Sequence, residues 1–336
     1  MLISVIVSTY SSHRMKDMDE LIESLNTQTD MGYELIIIVD ENQKLRDHIQ
    51  KKLTSTSILK WNVYLNTINE GLAHSRNIGI RKATGDIIAF IDDDAIADPK
   101  WIESIRNIFS DSMVGAATGD ILPLWMDSRM EWFPKELHWM ISCSYNVTPT
   151  GRSHIDRGFG ADMAFSRRAL IKVGGFDERF GIKKDRWLGG EDTDLFLRIK
   201  DSGFHVIFEP TMRVHHKIYP SRIILPNIVK RSIAQGMGSY YIRKLSTVRV
   251  SNYSGQEYIT RLVFDFFPRS IRRLFSRQRV TAFREIATVM ISMTSIAVGS
   301  IVARFSPITE LPQIAKVVAK DVEPQNRYLE HPLANR

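Results

Sequence analysis

Apolar and polar positions follow two alternating rhythms along the first third of the chain. Compact apolar runs at Ile3–Ser8, Glu34–Asp40, Trp61–Leu65 and Ile87–Ile91, bounded by turn formers, predict buried strands of a parallel sheet. Between them the apolar residues fall three and four apart, as on helices. Met18, Leu21, Ile22 and Leu25 mark one helical face. Leu45–Leu53 reads as a polar helix and Ala73–Ala83 as another, with Ile78 turned inward. Asp98-Pro99 predicts the start of a further helix over Lys100–Phe109. Strands alternating with helices at this spacing imply βαβ units and an α/β fold. Such sheets bind ligands outside the carboxyl ends of their strands.

From Leu122 to Tyr145 the alternation stops. Trp125, Trp132, Phe133, Trp139 and Tyr145 crowd around Pro123 and Pro134. That composition serves equally as a hydrophobic satellite core or as an aromatic wall against a sugar or lipid. Regular pattern returns with a Gly-rich approach from Arg157 to a strand ending at Phe165, then a short helix over Arg167–Val173. A turn at Gly174-Gly175-Phe176-Asp177, a helix at Leu195–Lys200 and a strand at Phe204–Phe208 follow.

Beyond Tyr219 the chain changes character. Tyr258–Arg279 mixes aromatic, aliphatic and Arg residues, which predicts a basic amphipathic segment at a membrane surface. The uncharged stretch Ile286–Ala303 would extend about 27 Å as a helix, just short of a hydrocarbon core of roughly 30 Å. Its six Ser, Thr and Gly residues weaken it as a span. A membrane span, a re-entrant segment and a helix buried between subunits therefore all fit. Residues 304–336 read as a loose tail with a short helix near Ile314–Ala319.

Charge sharpens that picture. The chain carries a net +7, yet Arg222–Glu285 alone holds 13 Lys and Arg against 3 acids, so the basic excess belongs to one segment. Nucleic acid or anionic lipid would answer such a patch. An uncharged stretch follows directly and has no use on nucleic acid, so a lipid surface is expected and nucleic acid is not. Basic residues before the stretch put that side in the cytoplasm. The single cysteine, Cys143, excludes an internal disulfide and leaves no thiol-based metal site. The chain enters a strand at Ile3 without a basic leader or cleavage site, so no signal peptide is expected.

The densest chemistry is Asp92-Asp93-Asp94 at the end of the fourth apolar run. Neighbouring carboxylates raise one another's pKa. A divalent cation with a phosphate ligand relieves that repulsion, and hard oxygen donors suit Mg²⁺ or Mn²⁺. An acidic turn leading into the next helix explains Asp98 but not three aspartates in a row. Thr9-Tyr10 after the first strand and Asp40 after the second would line the same crevice. Glu191 and Asp192 precede a helix, where acids also serve as caps. His215 and His216 are adjacent on a strand and point to opposite faces, so at most one reaches a shared ligand.

Taken together, these positions resemble the family 2 glycosyltransferases of the GT-A fold. The resemblance rests on Val5–Tyr10, Ile38–Asp40, Asn69–Asn77, Phe90–Asp94, Gly174–Asp177 and Glu191-Asp192, in the family's order over roughly residues 1–220. Leu122–Trp125, Trp132–Leu137, Cys143–Tyr145 and Val214–Lys217 are similar to the archaeal branch that includes glucosyl-dolichyl phosphate glucuronosyltransferases. Asp162 departs from that branch, where Asn is expected, and an added acid disfavours an anionic uronic-acid donor. The basic bulk charge also differs from the acidic proteins of extreme halophiles.

The resemblance implies a GT-A domain over 1–220, with a nucleotide half to 120 and an acceptor half from 121. A basic helical segment (221–285), the hydrophobic stretch (286–303) and the tail (304–336) follow. Thr9, Tyr10 and Asp40 would hold the base, and Arg76 and Asn77 would lie near ribose or phosphates. Asp92, Asp93 and Asp162 would face the donor. Asp94, with Asp92 and His216, would hold Mn²⁺ or Mg²⁺. Asp192, supported by Glu191, would be the general base of an inverting transfer. The implied partners are a nucleotide-sugar donor, expected to be UDP-linked, a lipid-linked saccharide acceptor and an anionic membrane surface on the cytoplasmic side. Direct transfer to a polyprenyl phosphate and a non-catalytic nucleotide-sugar-binding subunit are the alternatives.

Overall fold

The apolar runs form strands and the spaced apolar faces form helices, in the expected order. A computed structural model of the chain describes residues 1–145, 148–183, 186–245 and 253–306. The first half runs β1 (Ile3–Thr9), α1 (Met15–Asn26), β2 (Tyr33–Asp40), α2 (Gln43–Leu53), β3 (Trp61–Asn66) and α3 (Leu72–Lys82). It continues with β4 (Ile87–Ile91), β5 (Ala95–Ala97), α4 (Trp101–Ile108) and β6 (Val114–Trp125). Then come β7 (Ser153–His154), β8 (Asp162–Ser166), α5 (Arg167–Val173), β9 (Gly181–Lys183), β10 (Arg186–Leu188), α6 (Glu191–Asp201) and β11 (His205–Ile218). The C-terminal part is helical: α7 (Leu225–Leu245), α8 (Tyr253–Arg261), α9 (Phe267–Leu274) and α10 (Arg279–Phe305).

The main sheet has the order β3-β2-β1-β4-β8-β6-β11-β5, with β7 paired to β11. Strands β1 to β4 are mutually parallel, as their buried apolar runs predict. The chain leaves β1 towards β2 and β3, then returns on the other side as β4. The connections therefore part above the ends of β1 and β4, which is where an open α/β sheet holds its ligand. Beyond β4 the sheet turns mixed, with β8 antiparallel to β4 and β11 parallel to β6. Both faces are covered. Val5, Val7, Leu35 and Ile37 pack into one core cluster, and Ile6, Ile36 and Ile38 into the other.

Several local expectations change. Ile78 is only half-buried, and Gly79 faces the sheet so closely that a Cβ there would lie 2.5 Å from Ile6 Cγ2. Helix α4 begins at Trp101, and the Asp98 carboxylate accepts the Lys100 N–H at 3.2 Å. The strand expected at Phe204–Phe208 and the two histidines belong to one strand, β11, with an irregular register between Glu209 and Arg213. Strand β5 was not anticipated. After Asp92-Asp93-Asp94 the chain turns tightly, Ala95 N–H donating to Asp92 O at 3.1 Å. It then returns antiparallel to β11, which sets Ala95 opposite His216.

The uncharged stretch is part of α10, and its polar residues have a packing role. A Cβ on Gly236 of α7 would lie 2.0 Å from Ile296 O, and one on Gly299 2.2 Å from Ile233 O. The Ser232 and Ser292 hydroxyls meet at 2.9 Å, and Ser300 Oγ donates to Gly236 O at 3.1 Å. Small residues let the two backbones approach, and short hydroxyls hold them. The opposite face exposes Val280, Phe283, Met290, Val298, Ile301 and Phe305. Among the described residues α10 is the one helix long and apolar enough to cross a membrane. Before α9 the helix widens to a π turn at Leu262–Phe266, next to Pro268, which lacks an N–H. The tail beyond Ser306, with the helix expected near Ile314–Ala319, lies outside the described residues.

Candidate active site

The carboxyl ends of β1 and β4 bring the first cluster together. Asp92, Asp94 and His216 each offer one donor atom, all within 4.8 Å of one another. His216 Nε2 lies 2.9 Å from Asp94 Oδ1, across 122 residues of chain. The return strand β5 makes that contact, because it seats the acidic turn beside β11. His215, as expected from alternation, turns to the other face. The two carboxylates suit Mn²⁺ or Mg²⁺ completed by phosphate oxygens, and the imidazole favours Mn²⁺ of the two, so the donor set fits the implied metal.

Two arginines complete this end. Arg14 Nη1 lies 3.0 Å from Asp94 Oδ2, and Arg222 Nη2 donates to the same oxygen at 2.7 Å. Burial alone would raise the Asp94 pKa. His216, Arg222 and Arg14 outweigh it and hold the carboxyl well below the usual range. Behind them the buried Lys217 ammonium donates to Asp17 at 2.9 Å, and Tyr219 O–H to the same oxygen at 2.6 Å. Neither Arg14 nor Arg222 was singled out from the sequence. An isolated arginine carries no pattern, and Arg222 counted there only as surface charge.

Asp93 behaves differently. Thr9 Oγ1 donates to it at 2.6 Å, locking the tip of β1 to that of β4. Burial and the Asp94 charge push its pKa up to about 7. Thr9, expected at the base, is itself buried and committed to this bond. Tyr10 beside it is 64% exposed on the crevice rim. Asp40 lies at the end of β2 and accepts from Asn66 Nδ2 at 2.9 Å and Ser75 Oγ at 2.6 Å. Each oxygen of this acid keeps a second lone pair.

The second acidic cluster opens α6. Asp192 Oδ2 accepts the Gly160 N–H at 3.0 Å and Oδ1 the Thr193 N–H at 2.7 Å, so the carboxyl is held from both sides. Glu191 Oε1 accepts from Arg76 Nη1 at 3.3 Å. Burial, then repulsion from Asp192, pushes Glu191 up to about 7, and burial raises Asp192 as well. Arg76 links the clusters: its Nη2 donates to Asp92 at 3.1 Å and to Gly160 O at 3.0 Å. One buried guanidinium thus braces the metal-side acids against the pair on α6.

Two expected donor contacts are placed elsewhere. Asn77 is fully buried and spent on the turn after α5. Its Nδ2 donates to Phe176 O and Glu178 Oε1, both at 2.9 Å, and its Oδ1 accepts the Phe176 N–H at 2.8 Å. Asp162 is equally closed off on β8, accepting from Trp101 Nε1 at 2.8 Å and Gly119 N–H at 3.1 Å. Burial drives its pKa well above the usual range. Both residues shape the walls from behind. A short polar residue in a motif cannot announce from sequence alone which side of the wall it serves.

Glu191 and Asp192 also line a cavity of about 1060 Å³ between the sheet domain and the C-terminal helices. Trp139 and Tyr145 form one wall, Tyr258 of α8 faces them, and Met293 and Ile296 of α10 reach in from the far side. Tyr258 O–H donates to Glu136 O at 3.0 Å, and Trp139 Nε1 donates to the Tyr258 hydroxyl at 3.3 Å. Phe133 belongs to the first core cluster, and Trp125, Trp132 and Trp139 pack against it. Of the aromatic stretch, Trp139 and Tyr145 also line the cavity.

The chain is similar in sequence and in fold to several known proteins. The model described as Glycosyl transferase family 2 matches residues 4–174, and one described as N-terminal domain of galactosyltransferase matches 144–219. The chain is 27% identical over 311 residues to the glucosyl-dolichyl phosphate glucuronosyltransferase of Haloferax volcanii, covering 91% of this chain and 97% of that one. Among solved structures, the mannosyltransferase PcManGT of Pyrobaculum calidifontis, in complex with GDP-Man and Mn²⁺, superposes with a TM-score of 0.58 at 17% identity. The superposition covers 92% of this chain and 82% of PcManGT. GalNAc-T7 with UDP, GalNAc and Mn²⁺ gives 0.50 at 17% identity, covering 77% and 54%. At these identities the two structures show the GT-A fold.

Proposed function

The chain belongs to family 2 of the glycosyltransferases, and from that premise we propose that it transfers a sugar from a nucleotide donor to a lipid-linked saccharide. One observation carries this reading: Glu191 and Asp192 share a single cavity with Met293 and Ile296 of the apolar helix α10. An acceptor whose hydroxyl must reach a base while its chain stays in a bilayer needs such a cavity. The similarity to a relative named for a glucosyl-dolichyl phosphate substrate supports it.

In this reading the donor lies over β1 and β4, with Tyr10 on its base and Asp40 accepting the imide N–H of uracil. Asp92, Asp94 and His216 hold Mn²⁺ or Mg²⁺, which supplies charge neutralisation of the departing diphosphate when bound. Arg14 and Arg222 stand where they exchange Asp94 for diphosphate oxygens. Asp192, oriented by the Gly160 and Thr193 N–H groups, accepts the acceptor's proton. Glu191, held by Arg76, supports it through its charge, and attack from that side inverts the anomeric centre. The basic, exposed face of α8, α9 and α10 rests on an anionic membrane surface at its cytoplasmic side. Direct transfer to a lipid phosphate is the second reading. It needs no base, whereas two raised carboxyls lining the cavity favour the first.

A panel of UDP-glucose, UDP-glucuronic acid, UDP-N-acetylglucosamine and GDP-mannose tests the proposal, scored by nucleotide release with lipid extract. Release that needs both Mn²⁺ or Mg²⁺ and the lipid is expected. Release from none of these donors, with UDP still bound, would favour a binding subunit instead.

A further inference from the structure

The helix long enough to cross a membrane is held along its length by the rest of the fold. Val289 of α10 belongs to the first core cluster of the sheet domain. Ala303, about 21 Å further along the helix, packs with Phe180, Leu188 and Leu197 in a third cluster that includes α6. Between these anchors Ser292, Gly299 and Ser300 meet α7. Helix α7 is itself fixed against the corner before Glu191, where a Cβ on Gly238 would meet Gly189 O. Ahead of Val289, Arg279–Thr288 includes Arg279, Arg284 and Glu285, and Glu285 accepts from Arg273 Nη1 at 2.7 Å. Only Arg304 and Phe305 follow Ala303 within the helix. No stretch of about 20 apolar residues is therefore free to enter a hydrocarbon core. A crossing α10 would draw the α6 corner, with Glu191 and Asp192, into lipid, where charges and backbone groups lack water.

The outer face suits a different arrangement. At 3.6 residues per turn, Val280, Phe283, Met290, Val298, Ile301 and Phe305 fall within about 80° of arc, roughly opposite the buried Ala282, Val289, Ser292, Gly299 and Ala303. Arg279 and Arg304 fall on one flank of that stripe. Arg284, its guanidinium 4.1 Å over the centre of the Trp132 ring, falls on the other. We propose that α10 lies in the plane of an anionic lipid surface, its stripe among the acyl chains and its flanking arginines at the headgroups, and does not cross the bilayer. Both ends of the helix then stay on the side of the crevice. An apolar stripe between basic flanks matches the boundary of acyl chain and anionic headgroup. Phe264, Phe275, Phe283 and Phe305 are the exposed phenylalanines among the described residues, and all lie in this C-terminal segment. A second copy packed on the stripe would set basic flank against basic flank, which an anionic surface does not. The inner face of α10 carries Met293 and Ile296 into the cavity of Asp192, so an acceptor reaches that cavity from the membrane plane. The proposal rests on the membrane-surface reading, but its readouts are sidedness and binding, so a failed transfer assay leaves it standing.

Two measurements on the full chain test this. In the first, Ser55→Cys, in the exposed turn after α2, and Ser306→Cys, at the end of α10, are made singly, the native Cys143 being buried. A membrane-impermeant maleimide is then applied to intact and to detergent-permeabilised cells. The two cysteines are expected to respond alike, and labelling from opposite sides of the membrane overturns the proposal. The second is sedimentation with vesicles of phosphatidylcholine, alone or mixed with phosphatidylglycerol. Binding about 10-fold tighter to the mixed vesicles is expected. The paired change Phe283→Ser and Phe305→Ser should weaken it by at least about 10-fold, while UDP binding with Mn²⁺ stays within about 3-fold. No preference for the anionic vesicles, or unchanged vesicle binding in the paired variant, overturns the assignment. A dimer in solution that the paired variant dissociates gives the stripe to a second copy and overturns it too. Should the paired variant fail to bind UDP, and so fail to fold, the wild-type vesicle preference and the labelling decide.

Discussion

The two acidic clusters facing the crevice are built from the same side chains and have opposite electrostatics. Asp94 meets Arg14, Arg222 and His216 and stays ionised far below the usual range, although it is buried. Glu191 and Asp192 share one cation, Arg76, and burial lifts both, Glu191 to about 7. The number of cations in reach, more than the number of acids, sets the protonation state. A carboxylate held anionic, as Asp94 is, suits a metal ion and its diphosphate. A pair whose carboxyls burial has raised suits taking up a proton.

The sharpest way to break this division is at α6. Asp192→Asn is expected to lower kcat by about 1000-fold, the scale of a lost general base, in a steady-state transfer assay. Full activity would remove Asp192 from the chemistry. Next in size is Arg76→Ala, which leaves Asp92 and Glu191 without their shared cation. A loss of about 3 kcal/mol in denaturant unfolding is expected, as when a buried pair loses one partner.

Helix α7 offers a subtler break. A Cβ on Gly238 would lie 2.3 Å from Gly189 O, against the corner that precedes Glu191. Gly238→Ala should therefore displace the acid pair and lower kcat about 10-fold, with UDP affinity changed by less than about 3-fold. Equal loss of both would point to general unfolding.

pH sharpens the comparison further. The base must be unprotonated, so kcat should rise with pH along a limb set by the raised carboxyls, near 7 where Glu191 ionises. Glu191→Gln removes a negative neighbour of Asp192 and should move that limb to lower pH. A shift upward would contradict the coupling.

Asp162 gives the smallest effect. Its folded pKa lies above the unfolded one, so it costs nothing below about pH 4, where both states are protonated. As pH rises the unfolded chain ionises and the folded one does not, and stability falls. Asp162→Asn lacks this penalty, so its Tm relative to the parent should climb between pH 4 and 7, by about 2–4 °C per kcal/mol relieved. A flat difference would mean that Asp162 is already ionised in the fold.

What sequence could convey follows from how local each signal is. The run Ile87–Ile91 ending in three aspartates is self-contained, so strand and acidic tip are legible together. The short strand β5, three residues long, was not, and with the Lys217 N–H on Asp94 O it brings Asp94 to His216. Arg14 and Arg222 came from turns of no periodicity and met Asp94 only through the fold. Asn77 and Asp162 sit in the right motifs but point into the wall, a distinction of side-chain direction that motif spacing does not encode. The stretch 286–303 looked like a weak span because its Ser, Thr and Gly residues were weighed against lipid. Ser292, Gly299 and Ser300 instead meet α7, a helix whose own pattern gives no hint of the seam, while Thr294 is exposed.

The central claim is that donor anchoring and proton removal belong to separate acid clusters. Calorimetric titration of UDP, with and without Mn²⁺, into wild type, Asp94→Asn and Asp192→Asn tests it most directly. The account expects Asp94→Asn to abolish the Mn²⁺ enhancement of UDP binding and Asp192→Asn to leave it within about 3-fold, that is about 0.7 kcal/mol. Loss of that enhancement in Asp192→Asn, or its survival in Asp94→Asn, would contradict it.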